Sequence, residues 1–171
     1  MTPTNYDNAR RREGLMKRLF AANYMRAATA SAAPPKVLVK LGGYHVYRGL
    51  NPVRGSGVGN YIAEFAEGQG AQSLHIRLMA VEGWQPIYPK FGQPAQFRPF
   101  SLEDDPRAGY LQRLLSNRLP SGWTLFDLRP LRKDFNATTG GTNHELATLV
   151  FGIDMLVMVP EATRSTAIQQ R

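Results

Sequence analysis

The dipeptide Pro34-Pro35 constrains this chain more than any other feature. Proline lacks the amide hydrogen a helix needs and its ring clashes with the preceding turn, so a helix must stop before it. Upstream, Tyr6 to Ala30 reads as one long amphipathic helix, the core of an N-terminal helical segment 1–31. Ala9, Met16, Phe20, Asn23 and Ala27 fall on one face at helical spacing, with Arg12 and Glu13 flanking that stripe. Asn5 is placed to cap it. Downstream, "KVLVKL" (36–41) carries the β-branched core Val37-Leu38-Val39, the pattern of a strand buried on both faces.

Beyond that point the pattern alternates. "GGYHVYRGLNPVRGSG" (42–57) is a glycine-rich loop, and 57–68 is a second helix with Val58, Ile62 and Phe65 on one side. "SLHIRLMAV" (73–81) is a second strand. Its alternation assigns Leu74, Ile76, Leu78 and Ala80 to the core and turns His75 and Arg77 away from it. An aromatic and proline-rich stretch, 82–100, reads as an irregular loop or hairpin. Residues 102–117 form a third helix, with Ser101 as cap and Pro106 in the first turn. "WTLFDLRPL" (123–131) and "FGIDMLVMVP" (151–160) complete four strands; "DFNATTGGTNHELATL" (134–149) between them is mostly loop, and the tail 163–171 is frayed. Strands alternating with helices imply an α/β class with a mainly parallel sheet of about four strands flanked by helices, in a single domain spanning 1–171. Val37, Val39, Ile76, Leu78, Leu125, Leu156 and Val157 are its expected sheet core.

Composition limits the chemistry. The 171 residues contain no cysteine, which excludes disulfides, thiol nucleophiles and cysteine-held zinc. The three histidines, His45, His75 and His144, do not fall at local metal-site spacings. The net charge of +8 permits anionic partners, although "ARRREGLMKRLF" and "RPLRKDF", which hold much of it, also suit solvated surfaces. No apolar run is long enough to span a bilayer, so no membrane partner is expected. Asp7 and Glu13 interrupt the basic N-terminal region and no signal-type apolar segment follows it, which points to the cytoplasm.

In a parallel sheet, ligands gather at the carboxyl ends of strands. His45 falls there, just after Gly42-Gly43, where backbone can approach a ligand closely. An imidazole can act there as general base, general acid or ligand of a divalent metal. Arg48 can clamp a carboxylate or phosphate, and Tyr44 can shape the pocket wall. Arg12, at the edge of a buried face, needs an acceptor: a carboxylate such as Glu13 or Asp154, or a bound substrate. "RGSGVGN" has the glycines of a phosphate loop but lacks its closing Lys-Ser/Thr. Ser56, Ser101 and Ser116 have no nucleophile-elbow setting. His75 reads as a packed strand residue and His144 as a loop or helix-start residue.

"GGYH" resembles the Gly-x-x-His motif of the superfamily containing erythromycin esterases, haem-binding ChaN-like proteins and TraB/Tiki-type metal-dependent proteins. "REGLM" (12–16) is similar to the Arg-[Asp/Glu]-x-x-Met helix motif that precedes that strand in erythromycin esterases. "GIDMLVMVPEATRST" resembles the family's last strand. The family's strand ends in two histidines; here His45 takes the second place and Gly42 the first. The resemblance implies a hydrolase acting on an ester or peptide bond of a small molecule or peptide. His45 would be base or metal ligand, with Arg12, Glu13, Tyr44 and Arg48 around the substrate. Only eleven residues precede Arg12, so it also implies the C-terminal half of a larger domain, completed by a missing N-terminal half or a second copy. The rival reading from charge alone is a non-catalytic basic module for nucleic acid or a phosphorylated ligand.

Overall fold

In the computed structural model, which describes residues 5–87, 96–135 and 144–164, α1 spans Asn5–Thr29. The expected long helix is present, but its inward stripe is rotated. Met16, Phe20, Tyr24 and Ala28 are half-buried at helical spacing, whereas Asn23 and Ala27 are exposed. The aromatic rings decide this face. Phe20 and Tyr24 pack against Phe65 of α2 (Val58–Gly68) at 5.6 and 5.1 Å between centroids, both edge to face, and Phe20 meets Tyr61 at 6.4 Å. Such edge-to-face pairs add roughly 0.5–1.5 kcal/mol each beyond the area they bury. The side chains of Asn5 and Ala9, expected as cap and stripe, lie outside the described residues.

The stretch 36–41 is not a strand. It makes no ladder, and Val37, Leu38 and Val39 are 51, 97 and 37 % exposed. A three-residue apolar core bracketed by Lys36 and Lys40 has strand propensity, but a strand needs a partner edge. The four strands of the sheet are β1 (Ile76–Ile87), β2 (Gln96–Ser101), β3 (Thr124–Asp127) and β4 (Met155–Ala162), in the order β2-β1-β4-β3. β1–β2 and β3–β4 are antiparallel, so the sheet is mixed and mostly antiparallel rather than mainly parallel. The aromatic stretch after β1, expected as an irregular loop or hairpin, supplies β2: two strands joined by a short connection pair antiparallel. At Gly83, φ is +127° and a Cβ would collide with the backbone of Ala162, so only glycine lets β1 approach β4 there.

β1 also faces the opposite way from its apolar alternation. His75 and Val81 are buried, whereas Ile76 and Leu78 are 42 and 63 % exposed. Leu125 on β3 is likewise 59 % exposed and Val157 half-buried, while Leu156 is fully buried. Of the seven residues expected to form the sheet core, only Leu156 is buried throughout. His75 explains the parity. Its ring Nδ1 lies 2.6 Å from Val46 O, its backbone N–H donates to Asp154 Oδ2 at 2.7 Å, and its carbonyl accepts from Asp154 N at 2.9 Å. An anchored residue at the head of a strand sets which alternate positions face inward.

The chain forms two compact units. The first holds the described residues through Ile76 with Ala147–Asp154, and the second holds the other described residues. Tyr47, Val58, Ala63, Leu149, Val150 and Ile153 are the buried apolar residues of the first. Val81, Ala108, Leu111, Leu115, Leu128, Leu156 and Met158 are those of the second. In place of the expected helix 102–117, the second unit has a 3-10 turn, Pro106–Leu111, running into α3 (Gln112–Ser116). Asp105, not Ser101, caps it: its Oδ1 accepts from Arg107 N at 2.9 Å. Hydrogen bonding from the Arg107 side chain holds the Asp105 carboxyl below its usual range. In the expected frayed tail, the Arg164 guanidinium sits 3.7 Å over the Trp84 ring; residues 165–171 lie outside the described residues.

Candidate functional site

His45 lies in the first unit, in the loop between 42 and 56, and both of its own backbone groups are committed. Its N–H donates to Gly42 O at 2.8 Å, closing a tight turn. Its carbonyl accepts from Gly59 N at 2.8 Å in the first turn of α2. A Cβ on Gly59 would lie 2.5 Å from His45 O and 2.6 Å from the Val46 carbonyl carbon, so glycine is what admits the loop to the helix. The "GVG" of the phosphate-loop lookalike therefore serves backbone packing. The Val58 and Gly59 amides are taken by Glu13 and His45, which removes them as anion donors.

Glu13 completes the arrangement. From the inner side of α1, its Oε2 accepts from Val58 N at 2.9 Å, and its Oε1 meets His45 Nδ1. One carboxylate thus caps α2, whose own N-cap residue, Gly57, has no side chain to do it. The same carboxylate orients the imidazole. The two side chains are 19 and 23 % exposed, and among the described residues nothing takes His45 Nε2. Lys17, one turn along α1, ties the same junction by donating from Nζ to Ser56 O at 3.1 Å.

The loop that carries His45 is held from its far end. Asn51, 7 % exposed, donates from Nδ2 to Tyr44 O at 3.1 Å and accepts at Oδ1 from Val53 N and Gly55 N, at 3.1 and 2.9 Å. Tyr47 packs where a side chain on Gly152 would collide with it, and Arg48 N donates to Gly152 O at 2.9 Å. Asn51 was not singled out from sequence, although an Asn-Pro step is a turn signal.

The expected site residues separate into two groups. Glu13 and His45 come together. Arg48 instead forms a bidentate pair with Asp154, both bonds 3.0 Å, and donates to Ser73 O at 3.2 Å. Asp154 is 3 % exposed and also accepts from His75 N, so this pair joins the loop to the end of α4 (His144–Gly152). Arg12 is exposed, and the Glu13 and Asp154 carboxylates offered to it belong to His45 and Arg48. Tyr44 is 53 % exposed. His144 is an exposed residue at the start of α4. His75 is not the partnerless strand residue that the sequence suggests: besides Val46 O, its ring Nε2 meets Ser73 Oγ at 3.0 Å. Among the described residues, no group of three or more His, Asp or Glu gathers to hold a metal ion. A groove of about 320 Å³ on α1 is lined by Asp7, Arg10, Arg11, Gly14 and Arg18 and does not include His45.

An imidazole with a carboxylate on Nδ1 and an open Nε2 is the arrangement of a general base. The structure thus has an α/β fold carrying a histidine–carboxylate pair at the N-terminus of a helix. No family model, no curated protein and no solved structure matches the chain. Among the described residues, no helix is long and apolar enough to cross a membrane.

Proposed function

We propose that this chain is a hydrolase of the erythromycin esterase/ChaN/Tiki-like kind, acting on an ester or peptide bond of a small-molecule or peptide substrate. The observation that carries this reading is the meeting of Glu13 with His45. These residues come from the two separate motifs, "REGLM" and "GGYH", on which the family resemblance rests. His45 Nε2 removes a proton from water as the water attacks the carbonyl carbon. Glu13 holds the Nδ1–H tautomer and stabilises the imidazolium that forms, and the imidazolium then protonates the leaving group.

Hydrolysis of p-nitrophenyl acetate by the purified chain tests this reading. His45→Ala should lower kcat/KM by about 10²–10⁴, the usual worth of a positioned general base. Glu13→Gln keeps an oxygen for the Val58 amide, so it should lower turnover while α2 stays folded by circular dichroism. Turnover unchanged by His45→Ala would end the proposal. The exposed cations Arg10, Arg11, Arg12 and Arg18 on α1 favour a second reading, a polyanion-binding module. Polynucleotide binding that falls steeply with salt, with no esterase turnover, would select it.

A further inference from the structure

Seventy-nine residues separate His75 from Asp154, and the two residues are locked together at the end of the first unit. That lock leaves the His75 ring to do something specific. Its Nδ1 lies 2.6 Å from Val46 O, a carbonyl that can only accept. Nδ1 therefore carries a proton, and in the neutral ring Nε2 carries the lone pair. Nε2 lies 3.0 Å from Ser73 Oγ, so the serine hydroxyl must be the donor in that bond. A serine O–H donating to a neutral imidazole, whose other nitrogen is fixed by an acceptor, is the ground-state geometry of an activated nucleophile. Here a main-chain carbonyl fills the orienting place that an aspartate takes elsewhere. The spacing follows from local structure: in an extended segment, residues i and i+2 point to one side, which brings Ser73 and His75 together.

The electrophilic partner is adjacent. Arg48 donates from Nη2 to Ser73 O at 3.2 Å and spends two further N–H groups on Asp154. Of its five N–H groups these bonds use three, both on Nη2 and one on Nη1; the second on Nη1 and the one on Nε take no part in them and are the groups that can turn to an oxyanion. Its side chain is 31 % exposed, whereas His75 is 6 % exposed, so the base is sheltered while the cation reaches the surface.

We propose that Ser73 is a second, covalent site: a nucleophile activated by His75, with Arg48 as the group that stabilises the oxyanion. With an ester, Ser73 Oγ bonds to the carbonyl carbon as its proton passes to His75 Nε2. The carbon–alkoxide bond then breaks, and the alcohol leaves with that proton. Water hydrolyses the acyl-serine with His75 as base. This site is independent of the Glu13–His45 reading, since neither His45 nor Glu13 takes part.

The test is covalent labelling of the full chain with diisopropyl fluorophosphate, in which the serine oxygen bonds to phosphorus and fluoride leaves. Peptide mass spectrometry should find the adduct on Ser73, forming at least about a hundredfold faster than on Ser56 or Ser116, which lack a base. Ser73→Ala should abolish it. His75→Gln should slow it by a similar factor. Should that buried substitution disturb folding, the comparison among serines within the unaltered chain still decides. Labelling of Ser73 no faster than that of Ser56 or Ser116 would overturn the proposal, as would an adduct only at a residue other than Ser73. Ester turnover lost in Ser73→Ala but unchanged in His45→Ala would strike the His45 reading alone.

Discussion

Asp154→Ala is expected to destabilise the protein by about 3–5 kcal/mol, the cost of breaking a buried charge pair from one side. Asp154 is 3 % exposed and its two oxygens receive three bonds, two from Arg48 and one from the His75 amide. Alanine leaves a guanidinium with its partner gone and a buried amide unsatisfied, and each of these carries its own desolvation cost. Arg48→Ala should cost a comparable amount, because it strands the buried carboxylate. The double variant Arg48→Met/Asp154→Leu should cost much less than the sum of the singles, since it removes both charges and keeps the volume. Urea melts of the four proteins check this. Additive losses would show that the two residues act separately.

Gly59→Val should cost at least about 3 kcal/mol, the upper part of what overpacking usually exacts, because the atoms in the way are backbone. Two effects oppose each other at this position. A glycine inside a helix is about 1 kcal/mol worse than alanine, so filling it should help α2. Against that, the new Cβ would sit 2.5 Å from His45 O and 2.6 Å from the Val46 carbonyl carbon. Neither can rotate away as a side chain would, so the clash wins. The 42–46 loop must retreat, the Gly59–His45 bond is lost, and the imidazole leaves Glu13. Thermal melting should show the stability loss, and the histidine ring resonances should show the displacement. Gly59→Ala should move both in the same direction by less. A variant as stable as the parent, with its His45 resonances unmoved, would mean the loop does not need this contact.

The elements that could be read from the sequence are those whose reasons are local. Proline after a long helical pattern ends α1, and an apolar run makes β4; both follow from the residues themselves. Residues 36–41 and the parity of β1 could not be read this way. Propensity does not say whether a strand finds an edge, and the alternation in "SLHIRLMAV" is symmetrical apart from the polar anchors on His75. Those anchors lie at Val46 and Asp154, far along the chain. The site was legible in the same partial way. His45 and Glu13 stood out by residue type and by motif, but their union depends on α1 lying against α2. Arg48 reads as a clamp for a bound carboxylate or phosphate, and Asp154 reads as an acceptor for Arg12; the structure pairs the two with each other. That pairing depends on a chain reversal after α4 that no nearby residue announces. Ser73 carries no nucleophile-elbow signature, since its partner stands only two residues away along the chain.

Glu13 divides its two oxygens between a helix end and a ring. The direction in which His45 points is therefore set by how far α1 has slid along α2, and that sliding is governed by Phe20, Tyr24, Tyr61 and Phe65. This aromatic cluster works as a focusing mechanism for a ring it is not recorded as touching. A lineage that repacked the cluster with other hydrophobic residues of equal bulk would keep its fold and lose its aim, so substitutions there should be filtered together with those at residues 13 and 45, as one inherited setting.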